Sequence, residues 1–210
     1  PFFIEPSIKK LSVELLKAFF EEKEHKPVII GITGTNGKTS TALLLAQSLS
    51  YQNKKVGVIS SEGAGIYPNL VENEYTTPPI DICYKYQRFF HKKKCDYVIV
   101  ECSSQGLHQG RLDGIHFTYS IITNIDQDHI EYHKNLENYI NSKLKIMNQC
   151  TTSIINLDSN NLKNIDHHKY DCKKIYYISR NKSNDKKIIN IPLGDNIKNL
   201  KNFNIYSLLM

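Results

Sequence analysis

Residues 28–40 read VIIGITGTNGKTS. The run 28–32 is short and apolar, which fits a buried strand. Gly, Thr and Asn fill 31–37. Residues 38–50 then suit a helix whose buried face would carry Leu44, Leu45 and Leu49. Strand, Gly-rich loop and helix, in that order, are the context a phosphate-binding loop needs. Glycines let backbone N–H groups wrap an anion, and the helix N-terminus adds a positive partial charge. In such a loop Gly34, Thr35, Asn36 and Gly37 wrap a nucleotide's phosphates, with Ser40 following. Lys38 reaches the β- and γ-phosphates, and the Thr39 hydroxyl ligates Mg²⁺. The longer form of the motif has Gly five residues before Gly37, where this chain has Ile32, so the loop is the shorter GxxGK[ST] form. Taken alone, the segment also fits a Gly-rich turn that holds no nucleotide.

After this segment, strands are predicted at 56–60, 97–101, 119–123 and 153–157, and helices at 80–92 and 136–147. Strands alternating with helices imply an α/β fold with a mostly parallel sheet covered by helices on both faces. Beyond Asp158 the pattern weakens: 175–178 and 188–191 are expected as small edge strands, 181–187 as a polar turn, and 203–210 as the start of a helix. Before the loop, Ile8, Leu11, Leu15, Leu16 and Phe19 recur at helical spacing within 6–24. The charged stretch 21–26 and Pro27 mark a boundary.

Composition bounds the function. At roughly 150 residues per domain, a chain of 210 residues holds one large domain, or one domain plus a remnant. Its 27 basic and 21 acidic side chains give a net charge of +6, which suits any polyanionic ligand. No basic cluster is interleaved with aromatics, so nucleic acid is not an expected partner. No run reaches the roughly 18–20 apolar residues of a membrane helix, so no membrane insertion is expected. The N-terminus lacks both an initiator Met and a secretory pattern. It reads as a fragment of a cytoplasmic protein. Five cysteines, an odd number with no CxxC pair, argue for reduced thiols rather than disulfides or a zinc ribbon.

Two further segments carry chemistry. VIVECSS at 98–104 ends a buried strand with Glu101. Ligands of open α/β sheets bind at the carboxyl ends of strands, and a carboxylate beside a triphosphate is a natural Mg²⁺ ligand. A solvated strand-end glutamate is the plainer alternative. ITNIDQDHIEYH at 122–133 follows another strand. His129 and His133 would share a helical face, but position 130 is Ile, so the zinc-protease HExxH pattern fails. A polar loop is the plainer alternative here.

These segments in chain order resemble the Mur ligase family, on its UDP-N-acetylmuramoyl-tripeptide synthetase branch. The resemblance rests on GTNGKTS at 34–40, YTTP at 75–78, ECSSQGLHQGRLDG at 101–114, TNIDQDHIEYH at 123–133 and NYINSK at 138–143. It implies an ATP-dependent ligase that adds diaminopimelate or lysine to UDP-MurNAc-L-Ala-D-Glu in peptidoglycan synthesis, acting as a monomer. It implies that Asn124 joins the ATP-binding loop and that Thr76, Thr77, Ser103, Gln109 and Arg111 hold the UDP-MurNAc-dipeptide. Lys38, His129 and Lys143 would be catalytic, and Thr39, Glu101, His129 and Lys143, the last as a carbamate, would serve the magnesium sites. Without the resemblance, Lys143 reads as a surface helix lysine.

The resemblance also makes 1–26 the tail of an N-terminal domain or linker helix. Residues 27–210 become the central ATP-binding domain, cut short in its last helix, with no C-terminal, amino-acid-selecting domain. A fragment of that kind is expected to be inactive alone. The chain departs from the family at Gln105, where His is usual, at Lys134 and Asn202, where Gly is usual, and at Ser207, where Asn is usual. A folylpolyglutamate synthase-like ligase, another Mur ligase, or a nucleotide-binding remnant without catalysis are the rival assignments.

Overall fold

The computed structural model describes residues 6–20, 25–128, 130–163, 165–180 and 188–190. The elements run α1 (Pro6–Phe20), β1 (Val28–Thr33), α2 (Lys38–Tyr51), β2 (Val56–Ser60), β3 (Gly63–Ile66), β4 (Asn69–Val71), α3 (Ile80–Lys92), β5 (Tyr97–Glu101) and α4 (Ser104–Gln109). They continue with β6 (Phe117–Ile122), α5 (Ile130–His133), α6 (Leu136–Leu144), a 3₁₀ turn (Lys145–Gln149), β7 (Cys150–Asn156), α7 (Asn160–Lys163), a second 3₁₀ turn (His167–Lys169), β8 (Lys174–Ser179) and β9 (Ile188–Asn190). Among the described residues no helix is long and apolar enough to cross a membrane.

The strands form one sheet in the order β4-β3-β2-β5-β1-β6-β7-β8-β9. From β2 across β5, β1, β6, β7 and β8 to β9 the pairings are parallel, while β3 pairs antiparallel with both β2 and β4 at one edge. The chain order reverses at β1, which lies between β5 and β6. Open α/β sheets bind ligands at such a switch point, beyond the carboxyl ends of the strands. The phosphate loop leaves β1 at that point.

Alternation along the strands divides the core into two layers. Ile30, Ile32, Val56, Val58 and Ile99 pack against Ala42, Leu45, Ala46 and Leu49 of α2. On the other face Val98, Val100, Phe117 and Ile122 pack with Phe90 of α3, Tyr139 and Leu144 of α6, and Met147. Two strand glycines make room for this second layer. A Cβ at Gly57 would meet the Phe90 ring at 2.6 Å, and one at Gly31 would meet Ile146 and Phe117 at 2.6 and 2.8 Å.

Several sequence expectations need correction. Leu44 is 46% exposed, because the inward face of α2 is set by Ala42, Leu45, Ala46 and Leu49. Ile8, Leu11, Leu15 and Phe19 of α1 are also exposed, while Leu16 and Phe20 reach the core. The helix predicted over 136–147 ends at Leu144 and tightens into a 3₁₀ turn. The segment 175–178 is not an edge, since β8 pairs on both sides and β9 lies outside it. The hairpin β3–β4 and the short helices α4 and α5 had no counterpart in the periodicity. The polar turn at 181–187, residue 191 and the helix start at 203–210 lie outside the described residues.

Gly57→Ala is expected to destabilise the fold by about 1–3 kcal/mol through overpacking against Phe90. Adding Phe90→Leu should return part of that loss. Urea unfolding of the two single variants and the double variant measures the coupling, and strict additivity would break this account of the Gly57–Phe90 contact.

Candidate active site

The loop after β1 is shaped by two glycines and braced by the end of β6. Gly34 has φ 155° and Gly37 has φ 78°. A Cβ at Gly34 would collide with the Thr123 hydroxyl. The Thr35 amide donates to the Asn124 carbonyl at 2.8 Å, and the Asn36 amide donates to Asn124 Oδ1 at 2.9 Å. The Asn36 carbonyl accepts from Thr123 Oγ1 at 2.8 Å and from Asn124 Nδ2 at 3.0 Å. The Thr35 hydroxyl donates to the Asp126 carbonyl at 3.1 Å and lies 2.9 Å from the Tyr139 hydroxyl. Lys38 Nζ folds back onto the Thr35 carbonyl at 2.9 Å, and Ser40 is exposed on the first turn of α2.

Glu101, at the end of β5, is 2% exposed. Thr39 Oγ1 donates to its two carboxylate oxygens at 3.1 and 3.0 Å. Ser61, just past β2, adds its amide at 3.0 Å and its hydroxyl at 3.3 Å. Sequence reasoning missed Ser61. Its only available signal was its place directly after a strand on the same sheet edge. A carboxylate beside two hydroxyls is a set of hard oxygen donors, which fits Mg²⁺. Among the described residues no group of three or more His, Cys, Asp and Glu is gathered where it could hold a metal ion by itself.

Lys143, on α6, is 1% exposed. Its Nζ donates to the Gly34 carbonyl at 2.7 Å and lies 4.6 Å from the centre of the Tyr139 ring. Burial first, and the nearby Lys38 ammonium second, lower its pKa from 10.5 to about 7. The surface-lysine alternative is thereby excluded. His129 lies outside the described residues. His133 faces inward at 3% exposure, 3.1 Å from the Ser104 hydroxyl and 3.3 Å from that of Ser142.

A cavity of about 350 Å³ opens beside the loop, lined by Lys38, Thr76, Thr77, Ser103, Arg111 and Lys143 among others. Thr77 is buried, and its hydroxyl donates to the Glu101 carbonyl at 2.8 Å and accepts from the Ser103 amide at 2.9 Å. Ser103 Oγ caps α4 by accepting from the Gly106 amide at 3.0 Å. Arg111 donates from Nη1 to the Thr77 carbonyl and from Nε to Gln109 Oε1, both at 2.8 Å, with the Tyr75 ring 5.5 Å away. Gln109 in turn donates to the Tyr132 hydroxyl at 2.9 Å, so it reaches the cavity through Arg111. The Gln105 position also lines the cavity.

The sequence of residues 32–207 matches the family described as Mur ligase middle domain. The chain belongs to the Mur ligase family. A UDP-N-acetylmuramoyl-L-alanyl-D-glutamate–2,6-diaminopimelate ligase of Wigglesworthia glossinidia brevipalpis is 39% identical over 147 residues, which cover 69% of this chain and 30% of that protein. A solved structure of a ligase with the same name superposes with a TM-score of 0.75 at 29% identity, covering 87% of this chain and 38% of the other. The E. coli FolC structure, in complex with DHPP and ADP, has a TM-score of 0.61 at 16% identity over 79% of this chain and 46% of its own, a likeness of fold alone. The chain thus spans about a third of the length of the Mur ligases it matches. The parallel sheet, the loop after β1 and the Glu101 strand end are therefore this family's middle domain.

Lys143 carries a pH signature. The unfolded chain keeps this lysine's proton to about pH 10.5, whereas the folded chain releases it near 7. Stability therefore rises as pH climbs from 7 to 10.5 and falls again on the way down. Lys143→Met is expected to stabilise the chain at pH 7 in CO₂-free buffer, on the order of 1–3 kcal/mol after the lost Gly34 hydrogen bond. The gain should shrink toward pH 10. Thermal melts of both proteins across this range check it, and a gain independent of pH would refute the titration.

Proposed function

We propose that this domain is the nucleotide-binding unit of an ATP-dependent ligase that adds diaminopimelate or lysine to UDP-MurNAc-L-Ala-D-Glu through an acyl-phosphate. One observation carries the proposal: the phosphate loop, the buried Lys143 and the cavity bearing Arg111 converge on one side of the loop. The name of the 39% identical relative supports the substrate class. On this proposal residues 1–26 are the tail of an N-terminal domain or a linker, and 27–210 belong to the central domain. The enzyme is cytoplasmic, where ATP and the nucleotide-linked acceptor are made, and monomeric.

The chemistry follows from the side chains. Lys38 leaves the Thr35 carbonyl to meet the β- and γ-phosphates of ATP. Thr39 and Glu101 would hold Mg²⁺, which when bound neutralises charge on the transferring phosphoryl group. Arg111, whose Nε and one Nη1 proton are fixed by Gln109 and Thr77, turns its remaining donors to the acceptor's carboxylate. That carboxylate attacks the γ-phosphorus in line, giving an acyl-phosphate and ADP. The amine of the incoming amino acid then attacks the acyl carbon, and phosphate leaves. Fixing the carboxylate in this way supplies proximity, a term that reaches about 7–11 kcal/mol in well-oriented systems.

Lys143 fits the carbamate role. Carbamylation needs a neutral amine, which attacks CO₂ and loses one proton to water. A pKa lowered to about 7 leaves much of the amine neutral near neutral pH. The product is an anion whose oxygens would join Glu101 and Thr39 as hard donors, with His129 as the further ligand that the family resemblance implies.

The full-length gene product is tested with ATP, Mg²⁺ and UDP-MurNAc-L-Ala-D-Glu, adding diaminopimelate or lysine separately. Mass spectrometry is expected to show a new tripeptide with one of them. Lys38→Ala should reduce the rate at least a hundredfold. Removing CO₂ should slow the wild type, and bicarbonate should restore it. Nucleotide binding without product from either amino acid would turn the assignment toward a folate-type acceptor or a non-catalytic domain.

A further inference from the structure

Cys150 opens β7, and Cys172 lies two residues before β8. The two strands run parallel with Thr152 beside Lys174, and the Lys173 amide still donates to the Thr151 carbonyl at 3.1 Å. Two residues earlier on each strand, the same pairing sets the cysteines side by side. The Cys150 thiol donates to Cys172 Sγ at 3.5 Å. Neighbouring strands lie about 4.8 Å apart, inside the roughly 4.4–6.8 Å Cα separation that a disulfide bridges. Side-chain rotation alone can bring the sulfurs together.

The two thiols differ in reach and acidity. Cys150 is 4% exposed, with the Ser120 hydroxyl 3.3 Å from its sulfur. Cys172 is only half-buried. The hydrogen bond from Cys150, with backbone contacts to Lys174 and Ser153, lowers the Cys172 thiol, while the same bond and then burial raise Cys150. Cys83, Cys95 and Cys102 are fully buried, and burial raises each of them. One reachable thiol with a buried thiol at its side is the arrangement of an attacking and a resolving cysteine.

We propose that Cys150 and Cys172 form a modification site, a dithiol that a hydroperoxide converts into a disulfide joining β7 to the segment leading into β8. The Cys172 thiolate attacks the outer peroxide oxygen: an S–O bond forms, the O–O bond breaks, and the alcohol or water leaves with a proton. Cys150 then attacks the Cys172 sulfenic sulfur. The S–S bond forms, the S–O bond breaks, and the hydroxyl leaves as water with the Cys150 proton. Two thiols and one hydroperoxide give one disulfide, one alcohol (or water) and one water. The bond encloses α7 and the His167–Lys169 turn and shortens the excursions of the unfolded chain, so the oxidised form is more stable. It lies at the starting ends of β7 and β8, where Cys150 pairs with Phe117. The phosphate loop sits at the opposite end, beside Ile122.

The chain is treated with hydrogen peroxide, and free thiols are then blocked with iodoacetamide. The expected product has lost two hydrogen atoms, yields a proteolytic peptide linking Cys150 to Cys172, and melts several degrees higher until dithiothreitol reverses both changes. Cys172→Ser should abolish the link yet melt like the reduced wild type. Cys150→Ser should stop at a Cys172 sulfenic acid that dimedone captures. A link through any other cysteine, both thiols still free after peroxide, or a wild type that goes directly to sulfinic acid at Cys172 would overturn the proposal. Because the link is mapped in the wild type, a variant that fails to fold leaves the test intact.

Discussion

The site depends on the seam between the loop after β1 and the end of β6. A turn that leaves a parallel strand at its carboxyl end loses the ladder that would satisfy its backbone groups. Here the residues just past β6 supply partners instead. Asn124 takes the Thr35 and Asn36 amides, and with Thr123 it donates to the Asn36 carbonyl. The Gly34 backbone lies against Thr123 so closely that no side chain fits between them. The loop is thus held open before any phosphate arrives, and its remaining N–H groups need not reorganise to meet one. The resemblance assigned Asn124 to the nucleotide. The hydrogen bonds show the more immediate task of fixing the loop that faces it.

The same seam orders the parts around it. With β1 between β5 and β6, Glu101 at the end of β5 comes against Thr39 on one side of the loop. The segment after β6 leads on the other side to α6, which returns Tyr139 to Thr35 and Lys143 to Gly34. Glu101, Lys38 and Lys143 are close enough to feel one another's charge. Their contacts are mostly to hydroxyls and backbone carbonyls rather than to each other, which leaves them available to a charged ligand.

Legibility in the sequence followed burial. Strands β1, β2 and β5 are buried on both faces, so their uninterrupted apolar runs could be read directly, and α3 was located to the residue. The hairpin β3–β4 has no such run: GAGI and NLV are short, rich in glycine or exposed, and paired only through backbone bonds at an edge. The apolar residues of α1 gave the right helix and the wrong face, because periodicity says which residues share a stripe and not what covers it. In the site, the phosphate loop was legible from local spacing, since one turn makes it. Ser61 was not, because its partner Glu101 is distant in sequence and only strand order brings them together. Lys143 was legible only through family resemblance, since nothing in a polar helix marks one lysine for burial.

That burial is the point at which stability and chemistry separate. An ammonium taken from water beside a second ammonium has a carbonyl, an aromatic face and the charges of Asp128 and Glu101 to offset the loss, and its depressed pKa records that these fall short. A structural role is better served by an apolar side chain of similar length. On the proposed function the sign of the charge is what matters. A carbamate at Lys143 turns the repulsion from Lys38 into attraction and places oxygens where phosphate and metal charges meet. On that proposal the residue whose burial weakens the fold is the one that draws the loop, Glu101 and the cavity of Arg111 into a single electrostatic unit.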